Sequence, residues 1–177
     1  LTYTPFIMYS IIKALKEMPE MNSSFDGELI TKHENINLGI AVSVDGGLMV
    51  PCIKKCDEKN LLGICRDLNA IIKKTRNKTI EPDDLQGSTF TLSNFGIFGA
   101  TIGTPIINQP NVGILGTGEI KKQPIVIEKN DIDIIAIRQM MALSLGFDHR
   151  LIDGAGGAKF LLEIKNNLEN LNFESLL

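Results

Sequence analysis

The 177-residue chain is 44% hydrophobic and 22% charged, a balance that suits one globular domain with a sizeable core and is too short for two comfortable ones. Basic and acidic residues number 18 and 21, for a net charge of −3, and no block of like charges occurs, which argues against a nucleic-acid or anionic-membrane surface. No apolar run approaches the ~20 residues of a membrane helix, no signal peptide opens the chain, and Cys52, Cys56 and Cys65 lack the pairing or histidine neighbours of a disulfide framework or zinc site, so no metal is expected and a reducing compartment is.

Thr4-Pro5 supplies a cap and a first-turn proline ahead of Phe6, Ile7, Ile11, Ile12, Ala14 and Leu15, and Met18-Pro19 ends the run. A helix so apolar must be buried, and the opening reads as an interior segment of a longer protein. Strand signals follow at 28–33 and at 36–44, where Ile36, Leu38, Ile40, Val42 and Val44 alternate with small or polar residues. Asp45-Gly46-Gly47 turns the chain and 48–53 runs back as a hairpin. A helix is predicted over 60–77, with Leu61, Leu62, Ile64, Cys65, Leu68, Ile71 and Ile72 at helical spacing and Cys65 on its apolar side. Residues 81–84 form a loop or a single turn. A strand over 88–93 leads into a glycine-rich loop, 94–103, and a proline-punctuated segment, 104–110. Another strand starts at 112–115, and strands at 124–128 and 132–137 flank a turn at 129–131. Strand 141–147 delivers Asp148-His149, and a last helix from 154 to 168, capped by Asp153, turns Ala158, Leu161, Leu162 and Leu168 inward.

His149 stands where a strand ends and a helix begins, a position with its ring fixed from below and open from above, as proton transfer requires. The same residues also make an ordinary turn and helix cap. Ser93 ends an apolar strand before Asn94 and a glycine-rich loop, so its hydroxyl is either a donor facing a cavity or a plain strand-end serine. It lacks the glycines of a nucleophile elbow. Gly113-Ile114-Leu115-Gly116-Thr117-Gly118 has the wrong order for a dinucleotide fingerprint, and no Gly-Lys-Ser/Thr is present. His33, on a predicted strand, reads as a surface or pocket-rim group.

In combination these segments resemble the catalytic domain of the dihydrolipoamide acyltransferases, the core component of 2-oxo acid dehydrogenase complexes. His149-Arg150-Leu151-Ile152-Asp153-Gly154 matches the H-x-x-x-D-G motif, and Phe90-Thr91-Leu92-Ser93-Asn94-Phe95-Gly96 matches the strand and loop that carry the family's hydroxyl. Leu38 to Val42, Gly47 to Pro51, Asp84 to Gly87 and Thr104 to Asn108 also resemble family positions, in the family's order. The chloramphenicol acetyltransferases share the motif but carry a second histidine before it, where this chain has Asp148.

The resemblance implies an α/β two-layer sandwich, a mixed β-sheet covered by helices of the chloramphenicol-acetyltransferase-like kind, N-terminally truncated because the family's opening helix and strand are missing. It makes residues 1–177 one catalytic domain, without a lipoyl or peripheral-subunit-binding domain. It implies acyl transfer between dihydrolipoamide and coenzyme A, with His149 as general base, Ser93 stabilising the oxyanion and Asp153 holding the loop. Ser93, Asn94, Gly118 and Ile120 would line the coenzyme A channel. Ser93 and His149 would be distant within a chain and meet between neighbours of a homotrimer. The trimers would build a cubic or icosahedral core, with the apolar tail Phe173, Leu176 and Leu177 covered by a neighbour. That core would serve a lipoyl domain, a 2-oxo acid decarboxylase and dihydrolipoamide dehydrogenase, in a bacterial cytoplasm or a mitochondrial matrix. The uncharged loop 95–104 favours acetyl or branched-chain groups over succinyl. The alternatives are a non-catalytic scaffold of such a complex and a free-standing small-molecule acetyltransferase.

Overall fold

Helix α1 (Thr4–Glu17) has two sides of very different character in a computed structural model that describes residues 2–171. Ile7, Met8, Ile11, Ile12, Ala14 and Leu15 are buried on one side, and Lys13, Lys16 and Glu17 stay in water on the other. The three- and four-residue spacing of Ile7, Met8, Ile11, Ile12 and Leu15 makes this stripe. After a turn at Pro19, β1 (Ser23–Phe25) pairs antiparallel with β2 (Ile30–Lys32) in a small separate ribbon. The sequence pattern indicated β2 only; β1 is too short and polar to show a period.

The main sheet begins at β3 (Leu38–Ile40). The predicted long hairpin is broken into two pieces. β4 (Val42–Val44) and β5 (Gly47–Met49) pair around the turn at Asp45-Gly46, and β6 (Cys52–Ile53) returns to pair with β3. The break falls at Ala41 and Pro51: the Ala41 N–H turns to Leu92 O, and Pro51, which has no N–H to donate, accepts from Ile40. Helix α2 (Leu61–Arg76) follows, its start capped by Asn60, whose side chain accepts from the Gly63 N–H at 2.9 Å. A single 3₁₀ turn at Pro82–Leu85, closed by Glu81 and Asp84 as a capping box, leads to β7 (Phe90–Asn94).

β7 lies parallel to β3 and to β8 (Gly113–Thr117). Parallel neighbours demand a crossover, and between β7 and β8 it is the irregular segment 95–112. β9 (Lys121–Lys129) and β10 (Ile132–Met140) then form a nine-pair antiparallel ribbon. Asn130 and Asp131 close it, both at positive φ (55° and 59°), the signature of a two-residue hairpin turn. β11 (Leu143–Phe147) returns antiparallel to β8, giving the five-stranded order β11-β8-β7-β3-β6. Helix α3 (Gly154–Glu169) closes the described chain.

Alternation along the strands gives the sheet two different faces. Leu38, Ile40, Phe90, Leu92 and Leu115 point to the helices, where the Phe90 and Phe160 rings meet at 5.5 Å in a tilted pair. The inward residues of α3 are Gly157, Phe160 and Ile164. Leu161 and Leu168 are partly buried as predicted, but Ala158 and Leu162 face solvent because the helix sits rotated from the expected stripe. The opposite face carries Gly39, Thr91, Ser93, Gly116, Ser144 and Gly146, small residues over which segment 95–112 runs. No helix among the described residues is long and apolar enough to cross a membrane, and no metal-binding cluster of His, Cys, Asp and Glu occurs among them. The expected role of Phe173, Leu176 and Leu177 concerns residues outside those described.

Candidate active site

His149 occupies the exposed apex of a turn that both flanking elements hold. The Asp148 N–H donates to Val112 O, and Asp148 O accepts from the N–H groups of Leu151 and Ile152 at 3.0 Å. The Asp148 carboxylate takes the Arg150 guanidinium on both oxygens, the shortest contact being 2.6 Å. That guanidinium lowers the Asp148 pKa below the usual carboxylate range. Arg150 also lies over the Phe25 ring at 4.4 Å, which ties the turn to β1. The imidazole rests 5.5 Å from the Phe147 ring. Phe147 in turn is seated on Gly157, where a Cβ would meet the ring at 2.5 Å. Asp153 accepts from the Gly156 N–H at 2.7 Å as the cap of α3. Its carboxylate therefore fixes the start of the helix behind the turn and makes no hydrogen bond to the imidazole.

Ser93 is half-buried near the end of β7, beside Gly116 of β8, which is itself paired with Ser144 of β11. Paired residues point to the same side of a sheet, so two hydroxyls flank a glycine there. The Ser144 hydroxyl is buried without a partner. Phe95 and Pro105 fill the space over Gly116, at 2.7 and 3.1 Å from where its Cβ would stand.

The register separates Ser93 from His149. Ser93 is level with Gly116, Phe147 with Gly113, and His149 lies two residues further on. At ~3.3 Å per residue and ~4.8 Å per strand, the two residues are on the order of 15–20 Å apart. One chain does not bring them together.

Asn94, Gly118 and Ile120 share the lining of a cavity of about 260 Å³ with Thr4, Ile7 and Met141. A second cavity of about 520 Å³ also touches Asn94 and Ile97 and reaches Arg76. Ser93 lines neither, because consecutive strand residues face opposite ways. The expected four-residue channel thus divides into three residues on the helical side and Ser93 on the other. Gly118 is bound in place by close packing, since a Cβ there would collide with Thr101 O. Thr101, Glu119 and Lys121 form a surface cluster in which Lys121 Nζ donates to Glu119 at 2.7 Å.

The remaining candidates lie elsewhere. A 3.0 Å hydrogen bond joins His33 Nε2 to Ser24 Oγ beside a cavity of about 330 Å³, and burial holds the imidazole below the usual histidine range. Burial pushes the Cys52 thiol up to about 12 and the Cys56 thiol up to about 11, which leaves both unsuited to thiolate chemistry. Sequence reasoning missed Phe95, Gly116 and Ser144 as a group. The alternation of β8 and β11 could have revealed it only once their register was known.

The fold is similar to that of a chloramphenicol acetyltransferase, which the chain matches at TM-score 0.58 and 14% identity, over 94% of this chain and 78% of that one. The family described as the 2-oxoacid dehydrogenases acyltransferase (catalytic domain) matches residues 1–177. The chain belongs to that family. It is 43% identical over 176 residues to the dihydrolipoyllysine-residue acetyltransferase component of the pyruvate dehydrogenase complex of Corynebacterium glutamicum, covering 98% of this chain and 26% of the relative. The structure of a probable dihydrolipoamide acetyltransferase from Listeria monocytogenes superposes at TM-score 0.92 and 40% identity, over 100% of this chain and 74% of that one. A dihydrolipoamide acetyltransferase from Azotobacter vinelandii, whose structure addresses the role of a serine, a histidine and an asparagine in its catalytic mechanism, superposes at TM-score 0.89 and 34% identity, over 96% and 69%. The cubic core of a pyruvate dehydrogenase complex does so at 0.89 and 35%, over 96% and 69%. The chain spans about a quarter of the C. glutamicum relative and about two fifths of a Bacillus subtilis lipoamide acyltransferase.

Proposed function

We propose that this chain transfers an acyl group between dihydrolipoamide and coenzyme A at a site assembled from two copies. The observation that carries this reading is the separation of His149 from Ser93 in a family of acyltransferases. Each has the exposure and support of a functional group, and only a neighbouring chain can pair them. In the direction of acyl-coenzyme A synthesis, the neutral imidazole of His149 takes the proton of the coenzyme A thiol. The sulfur then bonds to the thioester carbonyl carbon, and the carbonyl electron pair moves onto oxygen. The Ser93 hydroxyl of the neighbour donates to that oxyanion. As it collapses, the bond to the dihydrolipoyl sulfur breaks, and that sulfur recovers the proton from the imidazolium. One oxyanion donor is typically worth ~10²–10³ in turnover.

Asn94, Gly118 and Ile120 hold coenzyme A in this reading, as the cavity they share supports, and the lipoyl group arrives on a separate domain. The assembly is a homotrimer building a larger core, working with 2-oxo acid decarboxylase and dihydrolipoamide dehydrogenase subunits. The exposed ribbon β9–β10 supports association, since Val126, Ile135 and Ile137 are 66%, 79% and 66% exposed. Acetyl or branched-chain groups are favoured over succinyl. The groups packed over Gly116 beside Ser93 are Phe95, Pro105 and Ser144, none of them cationic.

The test is turnover of the assembled protein with free dihydrolipoamide and acetyl-, isobutyryl- and succinyl-coenzyme A. His149→Ala is expected to abolish transfer while leaving assembly intact. Normal turnover in that variant would sink the proposal.

A further inference from the structure

The crossover segment holds one aromatic ring in an unusual clamp. The Phe95 ring lies between Gly103 and Gly116: a Cβ on Gly103 would meet its Cζ at 2.9 Å, and a Cβ on Gly116 would meet its Cε1 at 2.7 Å. Any side chain at either position would displace the ring, so the space is kept for it by two missing methyl groups. The backbone is pinned as well. The Phe95 N–H donates to Thr117 O at 3.2 Å, and Phe95 O accepts from the Phe98 N–H at 3.0 Å.

The ring stands next to the reacting position. Ser93 and Gly116 are paired neighbours on β7 and β8, so their side-chain directions run together ~5 Å apart. The ring edge that fills the space above Gly116 is therefore one strand spacing from the Ser93 hydroxyl. Phe95 is half-buried. Neither Gly103 nor Gly116 can yield by rotating a side chain, and Pro105 closes the same spot at 3.1 Å from the missing Gly116 Cβ. A ring so held makes a rigid wall.

We propose that Phe95 is a specificity-determining residue that limits the length of the acyl group carried past Ser93, so that the two-carbon acetyl group is the fitting substrate and four- and five-carbon branched groups are excluded. This rests on the acyltransferase reading above and narrows it. An apolar wall at close range adds little for a small acyl group but collides with a larger one, and a single methylene misfit is worth roughly 10–200-fold in discrimination.

The experiment compares kcat/KM for acetyl-coenzyme A and isobutyryl-coenzyme A, with free dihydrolipoamide as acceptor, in the assembled full-length protein. Phe95→Leu and Phe95→Met shorten or loosen the wall and keep an apolar side chain in the clamp. Each is expected to raise the isobutyryl-to-acetyl ratio by roughly 10-fold or more. Gly103→Ala presses the ring toward Gly116, the strand neighbour of Ser93, and is expected to lower that ratio. An unchanged ratio in a Phe95 variant that still transfers acetyl groups overturns the inference, and so does a Gly103→Ala shift in the same direction as Phe95→Leu. A wild-type protein that transfers acetyl groups but shows no preference between the two donors overturns the wall and leaves the acyltransferase reading standing. A wild-type protein inert with every donor removes the acyltransferase reading itself.

Discussion

Ser93 and His149 lie at opposite ends of one sheet, the serine level with Gly116 and the histidine beyond the residue paired with Gly113. A site that uses both must draw them from different chains. Mixing Ser93→Ala and His149→Ala subunits in equal amounts should then restore activity that neither variant has alone. In a closed ring each site takes its serine from one subunit and its histidine from the next, so about one quarter of sites regain both groups. Recovery near a quarter of wild-type turnover after co-assembly is the expected result, and no recovery in verified mixed assemblies would contradict it.

Asp153 acts through the helix it caps. Asp153→Asn retains an acceptor for the Gly156 N–H and should leave stability nearly unchanged. Asp153→Ala removes it at a cost of about 1 kcal/mol, a drop of roughly 2–4 °C in Tm for a chain of this length. Turnover should fall in the alanine variant as the turn behind His149 loosens. Thermal unfolding of the two variants side by side checks this, and equal Tm values would refute it.

Gly157 gives a case where two effects oppose. Alanine would gain about 1 kcal/mol of helix propensity, but its methyl would stand 2.5 Å from the Phe147 ring, and overpacking of this kind costs about 1–3 kcal/mol. The clash should win because the ring is wedged between α3 and the His149 turn. Gly157→Ala is expected to lower the urea midpoint and to reduce turnover by displacing His149. A raised midpoint would show that the ring moves freely.

Asp148 makes the turn acid-sensitive. Its hydrogen bonds to Arg150 hold its pKa below the ordinary carboxylate value, so the folded turn binds fewer protons than the unfolded chain. The contribution is fully present above about pH 4 and is lost as pH falls through the lowered value. Asp148→Asn should flatten that part of the stability profile below pH 4 and leave neutral pH less affected. Urea midpoints measured across pH 2.5–7 decide it, an unchanged acid limb being the contrary outcome.

Helices were the most legible part of the sequence because a 3.6-residue stripe survives small errors of boundary. Asp153 announced its helix as a cap and serves as one, whereas Asn60, read as the first residue of its helix, is the cap ahead of it. Strand periods told less. Ile36 to Val44 reads as one alternating run, yet Ala41 and Pro51 redirect hydrogen bonds and split it. Ser93 and Asn94 were expected to line one channel, although adjacency in a strand sends them to opposite faces. The inward stripe of α3 was misjudged at Ala158 and Leu162, since several apolar faces were available and only packing against Phe90 selects the one with Phe160. The separation of Ser93 from His149 came from family likeness; without register, spacing along the chain carries no such information.

The ribbon of β9 and β10 has apolar residues on both faces. Ile127 and Ile134 pair on one, and Val126 and Ile135 on the other. Cross-strand pairs alone leave a free two-stranded ribbon marginal in water. If a second copy covers those isoleucines, as in the proposed assembly, it supplies the missing burial, and ordering the ribbon and gaining a neighbour become one equilibrium. Mass action would then govern thermal resistance: dilution alone would weaken the protein, with no change in temperature or solvent.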